Sequence, residues 1–170
     1  MIQNEQDLLV CAFGSTEVAK DLSQQFENRF PRIHVHHTPG FMETLFLLSG
    51  NRFHVVVLVI VGDFESASRG MITKLCDLKY SKNAIFAYFA DRPSLVGNHF
   101  PVDSFPKGKI EELMAAAKKA ASLKQGVYWA SRDEIKRAEE AARNGDKALR
   151  EWKKNHPPLH KPWWKKLLGK

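Results

Sequence analysis

Two kinds of apolar segment alternate along the first 124 residues of the chain. Short apolar runs such as "DLLVCAF" (7–13) and "HVVVLVIV" (54–61) predict β-strands. Longer segments with apolar residues three and four positions apart, such as "STEVAKDLSQQFENRF" (15–30), predict helices, and Ser15 is placed to cap this one. The resulting order is β-α-β-α-β-α-β, a segment of no defined type, and then β-α.

The predicted elements fit one class of fold. The strands are expected at 7–13, 32–37, 54–61 and 84–90, with a short fifth strand within 98–105. The helices are expected at 15–30, 40–50, 66–80 and 109–124. The run 54–61 is apolar on both faces, as a central parallel strand must be. We therefore predict an α/β fold with a doubly wound, five-stranded parallel sheet, in which functional sites lie at the carboxyl ends of the strands.

Charge divides the 170-residue chain into two regions. The net charge is +7, and residues 123–170 carry all of it, with 13 basic and 6 acidic side chains. Residues 1–122 are balanced, so a boundary is expected near Gln125 and Gly126. We predict an α/β domain at 1–124, a helical, basic C-terminal extension at 125–154, and a tail rich in Pro, Trp and Lys at 155–170. The amino-terminal segment does not resemble a signal peptide, which favours a cytoplasmic location.

Four local strings resemble the receiver domain of bacterial response regulators, and the resemblance covers residues 7 to about 122. "FMETLFLL" matches a Glu-x-Leu helix of receivers through Glu43 and Leu45. "HVVVLV" stands where receivers have a pattern like DLVLLD. "YFADRPS" stands at their Thr-Ala pair, and "DSFPKGKIEEL" resembles their Asp-x-apolar-x-Lys-Pro segment. The implied fold is flavodoxin-like, of the receiver type.

The working residues of receivers are mostly replaced in this chain. The acidic pair that holds magnesium falls on Ala12 and Phe13, the phosphoacceptor aspartate on Val59, and the hydroxyl residue on Phe89. Lys107 keeps the place of the lysine, although another register puts Phe105 there. Magnesium requires oxygen ligands, and these apolar side chains supply none. The resemblance therefore implies a degenerate pseudo-receiver that is not an enzyme and has no metal or cofactor.

Pseudo-receivers signal by binding, commonly through the face of their fourth helix, fifth strand and fifth helix. The resemblance places Tyr88, Phe89, Phe105 and Lys107 near that face. An open alternative is that Phe89 and Phe105 fill the space of the lost polar site. We thus expect a protein–protein interaction or adaptor module of bacterial signalling or regulation that acts without phosphorylation.

Cys11 offers a different function. A cysteine at the end of the first strand, followed by Gly and Ser-Thr at a helix start, is similar to the cysteine-phosphorylated B components of the sugar phosphotransferase system. A helix N-terminus would favour a phosphorylated thiolate. The alternative is a buried core cysteine. The histidines of "HVHH" (34–37) lack the partners of a closed zinc site, so we interpret them as structural or surface residues.

The C-terminal region is expected to be helical and to make a second contact. Ser131 and Glu134 form a capping box, and sparse apolar positions up to Trp152 lie near one stripe. The chain forms either one solvated helix or a hairpin that turns at 144–146. The predicted partner-binding residues of this region are Trp152, Trp163, Trp164, Lys165 and Lys166. These residues suit binding to a groove of another protein first, to an anionic membrane surface second and to nucleic acid third. Whether the protein forms a homodimer is left open.

Overall fold

The computed structural model describes residues 4–156, except for the side chains of residues 4, 5, 124 and 125. The chain divides into two units, Met1–Ser131 and Arg132–Lys170. The first unit is an α/β fold, and the described part of the second is a helix. The predicted fold class is confirmed.

The α/β unit contains a single five-stranded sheet with the order β2-β1-β3-β4-β5, and each neighbouring pair is parallel. Its strands are β1 (Asn4–Phe13), β2 (Val35–Thr38), β3 (Asn51–Ile60), β4 (Ile85–Phe89) and β5 (Asp103–Pro106). Its helices are α1 (Thr16–Arg29), α2 (Phe41–Gly50), α3 (Glu65–Asp77) and α4 (Ile110–Gln125), with a 3-10 turn at Lys82–Ala84. The second unit contributes α5 (Arg132–Asn155).

The central strand β3 is buried on both sides of the sheet. Residues 53–60 are all buried, and alternate side chains enter different hydrophobic cores. One core holds Val55, Val57 and Val59 with the apolar faces of α1 and α4. The other holds Val56, Leu58 and Ile60 with the apolar faces of α2 and α3. This two-sided burial produces the doubly wound arrangement that the sequence predicted.

Trp129 completes the first core from beyond the end of α4. Its side chain is 1% exposed, and its ring lies 6.5 Å from that of Phe26 and 5.7 Å from that of Phe30. The contact with Phe26 is edge-to-face, an arrangement that aromatic pairs favour. The compact unit therefore continues to Ser131, past the expected boundary near Gln125 and Gly126.

Two regions differ from the receiver pattern or from an alternative that the sequence left open. Residues 90–102 join the parallel strands β4 and β5 without a helix, whereas receivers place their fourth helix there. The hairpin alternative for the C-terminal region is wrong, because α5 runs without interruption through residues 144–146. The residues on both sides of 144–146 are mostly strong helix formers. A glycine inside a helix costs only about 1 kcal/mol relative to alanine.

We predict that the α/β unit needs the segment after α4 for its stability. A chain that ends at Lys124 should unfold with a free energy about 3–5 kcal/mol lower than a chain that ends at Ser131, because the buried Trp129 is lost. Urea unfolding, followed by circular dichroism, measures the difference. Trp129→Ala within the chain ending at Ser131 should reproduce most of it.

Trp152→Ala in the 170-residue chain is the matched control, since this tryptophan is 57% exposed. Its effect should stay within about 0.5 kcal/mol. Equal stability of the two truncated chains would contradict the role assigned to Trp129.

Candidate functional site

The residues that occupy the receiver-type positions are packed into the cores. Ala12, Phe13, Val59 and Phe89 are between 0% and 4% exposed. Moreover, the sheet separates them: Ala12 and Val59 belong to the core beneath α1 and α4, whereas Phe13 and Phe89 belong to the core beneath α2 and α3. The structure therefore does not gather these four residues into one pocket.

At the carboxyl edge of the sheet, the loop that follows β1 packs directly on the loop that follows β3. Gly14 has a φ of +103°, and a Cβ atom added there would overlap the carbonyl oxygen of Val61 and lie 2.9 Å from a ring carbon of Phe64. The backbone N–H of Val61 donates to the carbonyl of Phe13 over 2.8 Å. Only glycine suits this position, since both the backbone angle and the available space exclude a side chain.

A charged cluster that the sequence analysis missed covers the same edge. Glu65 accepts hydrogen bonds from Arg92 and Arg69, each over 2.9 Å. These two bonds hold the pKa of the Glu65 carboxyl below its usual value. The guanidinium of Arg92 also lies 4.8 Å from the ring centroid of Phe89, and that of Arg69 lies 4.9 Å from the ring centroid of Phe100. The cluster stabilises the loops that follow β3 and β4.

One signal in the sequence could have revealed this cluster. Glu65 follows β3 and Arg92 follows β4, and the ends of neighbouring parallel strands meet at one edge. Opposite charges at these positions are therefore brought together although 27 residues separate them. Asp91 acts in a similar way, because its carboxylate accepts the backbone N–H of Gly62 over 2.7 Å.

The other receiver-derived residues lie in different surroundings. Tyr88 is 5% exposed and belongs to the first core. Phe105 is partly buried against Phe86, with 6.3 Å between the ring centroids. Lys107 has an exposed side chain, and its backbone N–H donates to the carbonyl of Arg92 over 2.8 Å. Lys107 is thus the accessible member of the expected binding face.

Cys11 lies in the interior beside two threonines. Its side chain is fully buried, and it interacts with the hydroxyls of Thr44 and Thr38, which are 2.6 Å from each other. Burial raises the pKa of the Cys11 thiol to about 11, with the two hydroxyls acting in the opposite direction. The thiol is therefore protonated near neutral pH, a state that does not favour the phosphocarrier alternative.

The histidines of the second strand make separate contacts. His34 lies 3.7 Å from a carboxylate oxygen of Asp7, and His36 makes a 3.2 Å hydrogen bond with Gln6. His37 lines the groove described next. Within residues 4–156, no three His, Cys, Asp or Glu side chains are arranged to hold a metal ion.

An apolar groove of about 560 Å³ lies between α2 and the edge strand β2. Two large side chains of α2 project there into solvent: Met42 is 70% exposed and Phe46 is 82% exposed. The groove is lined by His36, His37, Thr38, Pro39, Met42, Glu43, Phe46 and Leu47. We call this area, α2 with the outer edge of β2, the α2 surface.

The predicted binding residues of the second unit fall partly within the described region. Trp152 is 57% exposed, and its ring stacks on that of His156 with 4.9 Å between the centroids. Trp163, Trp164, Lys165 and Lys166 lie outside the described residues. None of the helices in residues 4–156 combines the length and the apolar character needed to cross a membrane.

We predict that Gly14→Ala destabilises the α/β unit by about 3 kcal/mol, because alanine must adopt a positive φ and overlap the backbone of Val61. Urea unfolding at neutral pH tests this expectation. Gly70→Ala is the matched control: this glycine lies within α3 with no atom near the added methyl group, so its replacement should stabilise by about 1 kcal/mol. If both variants changed the free energy of unfolding in the same direction, the close contact at Gly14 would not be required for stability.

We also predict that native Cys11 resists alkylation. In a Cys76→Ser background, iodoacetamide should modify Cys11 at least about a hundredfold more slowly in the folded than in the urea-unfolded chain, because both burial and the raised pKa suppress the thiolate. Mass spectrometry of the intact protein follows the reaction. Equal alkylation rates in the folded and unfolded chains would favour the phosphocarrier alternative over a buried core cysteine.

The raised pKa of the Cys11 thiol also makes the stability of the α/β unit depend on pH. The thiol ionises more easily in the unfolded chain, near pH 9.0, than in the folded unit, near pH 11. The free energy of unfolding is therefore expected to fall as the pH rises above about 9, and Cys11→Ala should remove this part of the dependence.

Comparison with known proteins adds no family to this description. No family model matches the chain, and no curated protein is significantly similar to it. The resemblance to receivers thus stays a prediction from the quoted residues and the strand order, and a proposal of function depends on the surfaces described above.

Proposed function

We propose that the α/β unit is a non-catalytic, receiver-like module that binds another protein of a bacterial signalling or regulatory system through the α2 surface. The observation that carries this proposal is the exposure of large apolar side chains on α2. Contiguous apolar surface is unusual on a protein that acts alone, and it is typical of interaction sites.

The composition of α2 supports the proposal that a partner covers this helix. In its sequence "FMETLFLLSG", Glu43 is the only charged residue, and apolar residues occur on every side. Only Thr44 and Leu48 of this helix are buried in the α/β unit. A helix that is apolar all round is normally buried, so the outward side of α2 is expected to be covered by a partner.

The neighbouring strand adds a second means of recognition. β2 is the edge strand, and its single sheet neighbour in the described region is β1. An edge strand offers backbone N–H and C=O groups to an extended segment of a partner. We propose that such a segment pairs with β2, inserts apolar side chains beside Phe46, and places a basic residue near Glu43.

The receiver-like part of the proposal is supported by the strand order and by the packing of the carboxyl edge. Receivers bind partners through a face that includes their fourth helix, and residues 90–102 of this chain contain no helix. Tyr88 is also buried, which leaves little of that face for recognition. The α2 surface is therefore the better candidate in this protein.

We predict that Phe46→Asp weakens partner binding at least tenfold, because a charge replaces an aromatic anchor at the centre of the surface. The experiment is affinity capture from native lysate with the full chain, followed by titration of the identified partner. Val96→Asp is the matched control, since Val96 is 96% exposed and lies in the loop between β4 and β5.

Binding that is unaffected by Phe46→Asp would move recognition away from α2. A separate experiment tests the absence of phosphotransfer chemistry: the chain is incubated with Mg²⁺ and a small phosphodonor and examined by mass spectrometry. Formation of an acyl-phosphate would contradict the proposal.

A further inference from the structure

The helix α5 exposes a regular apolar stripe along nearly its whole length. Residues 136–155 are all exposed, and no residue of the helix is buried. The stripe comprises six positions separated by alternating steps of three and four residues: Ile135, Ala138, Ala142, Gly145, Leu149 and Trp152. This spacing is the heptad pattern by which helices pair side by side.

Both flanks of this stripe carry acidic side chains. Glu139 and Asp146 border it on one side, and Glu134 borders it on the other. An anionic lipid surface or a nucleic acid would repel carboxylates so close to the contact. Charges of both signs beside an apolar stripe instead suit another helix, since such flanking charges set the partner and its orientation.

The sizes of the side chains are self-complementary when two copies of α5 run in opposite directions. Ala142 of one helix then faces Gly145 of the other, Ala138 faces Leu149, and Ile135 faces Trp152. The smallest residues meet at the centre, where two crossing helices approach most closely, and the largest fill the wider space toward the ends.

Charge favours the antiparallel direction over the parallel one. Residues 132–140 carry three basic and four acidic side chains, whereas residues 147–155 carry four basic and one acidic side chain. An antiparallel pair places the basic end of one helix over the acidic end of the other. Like charges still meet at two places, Arg132 with Lys153 near the outer ends and Glu139 with Asp146 on one flank of the stripe, and solvent screens both contacts.

We propose that α5 mediates homodimerisation as an antiparallel helix pair through this stripe, with a second copy of the chain as the occupant. The inference concerns α5 alone and does not rest on the function proposed for the α2 surface. Its chemistry is apolar burial by Ile135, Leu149 and Trp152, with the direction set by the opposite net charges of the two helix ends.

Sedimentation equilibrium of the full chain across the micromolar range tests the self-association. We expect a monomer–dimer equilibrium whose dissociation constant rises at least tenfold in Leu149→Asp. Asn144→Asp, on the opposite side of α5, is the matched control and should leave the constant within about twofold, as expected for a surface position. A monomer at every concentration, or a dimer unaffected by Leu149→Asp, would overturn the inference.

Charge exchange tests the direction of the helices. Asp146→Lys should tighten the dimer about two- to fivefold, because an antiparallel partner presents Glu139 to this position, whereas a parallel partner presents Ala141. An unchanged or weaker dimer in Asp146→Lys would overturn the antiparallel assignment.

A distance measurement is independent of affinity. Spin labels on Asp133→Cys in a Cys76→Ser background should lie about 31 Å apart along the helix axis in the antiparallel dimer, from 21 residues at a rise of 1.5 Å each. Labels at about half that distance or less would indicate a parallel pair and contradict the proposal. A monomer that binds phosphatidylserine vesicles, and loses that binding with Leu149→Asp, would instead assign the stripe to a lipid surface.

Discussion

The α/β unit depends on the burial of β3 on both of its faces. When consecutive side chains of a strand are all apolar, both faces of the sheet must be buried, and a layer of helices on each side buries them. The positions of α1 and α4 on one side, and of α2 and α3 on the other, follow from that requirement. β1 and β4 cover the two edges of β3 and extend both cores outward.

The same constraint explains the character of the carboxyl edge. Apolar side chains at the ends of β1, β3 and β4 belong to the cores, so little polar chemistry reaches the surface there. Several polar groups of the edge hold the loops together: Glu65 pairs with two arginines, and Asp91 accepts a hydrogen bond from the backbone N–H of Gly62. These contacts stabilise the loops of the edge, and the largest exposed side chains of α2 lie beside the edge strand β2.

The sequence predicted the fold because the fold is encoded in local periodicity. The alternation of strands and helices and the apolar character of residues 54–61 were sufficient to identify a doubly wound sheet. Trp129 was missed as a core residue because it follows Gly126 in a segment without periodicity, and its partners Phe26 and Phe30 are about a hundred residues away. The ion pair between Glu65 and Arg92 was missed because the two residues meet only when β3 and β4 pair in the sheet.

The candidate sites were less predictable than the fold. The composition of α2 indicates a buried helix, and no local pattern reveals that its outward side lacks a cover within the unit. In α5, a glycine beside an asparagine suggested a turn, but good helix formers on both sides continue the helix. The residues assigned by resemblance to the degenerate site lie on β1, β3 and β4, but neighbouring residues of a strand point to opposite faces, so the sheet divides these residues between two cores.

The burial of Ala12, Phe13, Val59 and Phe89 also limits how this protein can change over evolutionary time. An acidic residue introduced at any one of these positions would be an unpaired carboxylate in an apolar interior, at a cost of several kcal/mol. A magnesium site requires several oxygen ligands at once, so each single step toward it would reduce stability before it could supply any activity. Acquisition of phosphotransfer chemistry at this edge is therefore closed to stepwise substitution, and new functions are expected to arise on the exposed surfaces instead.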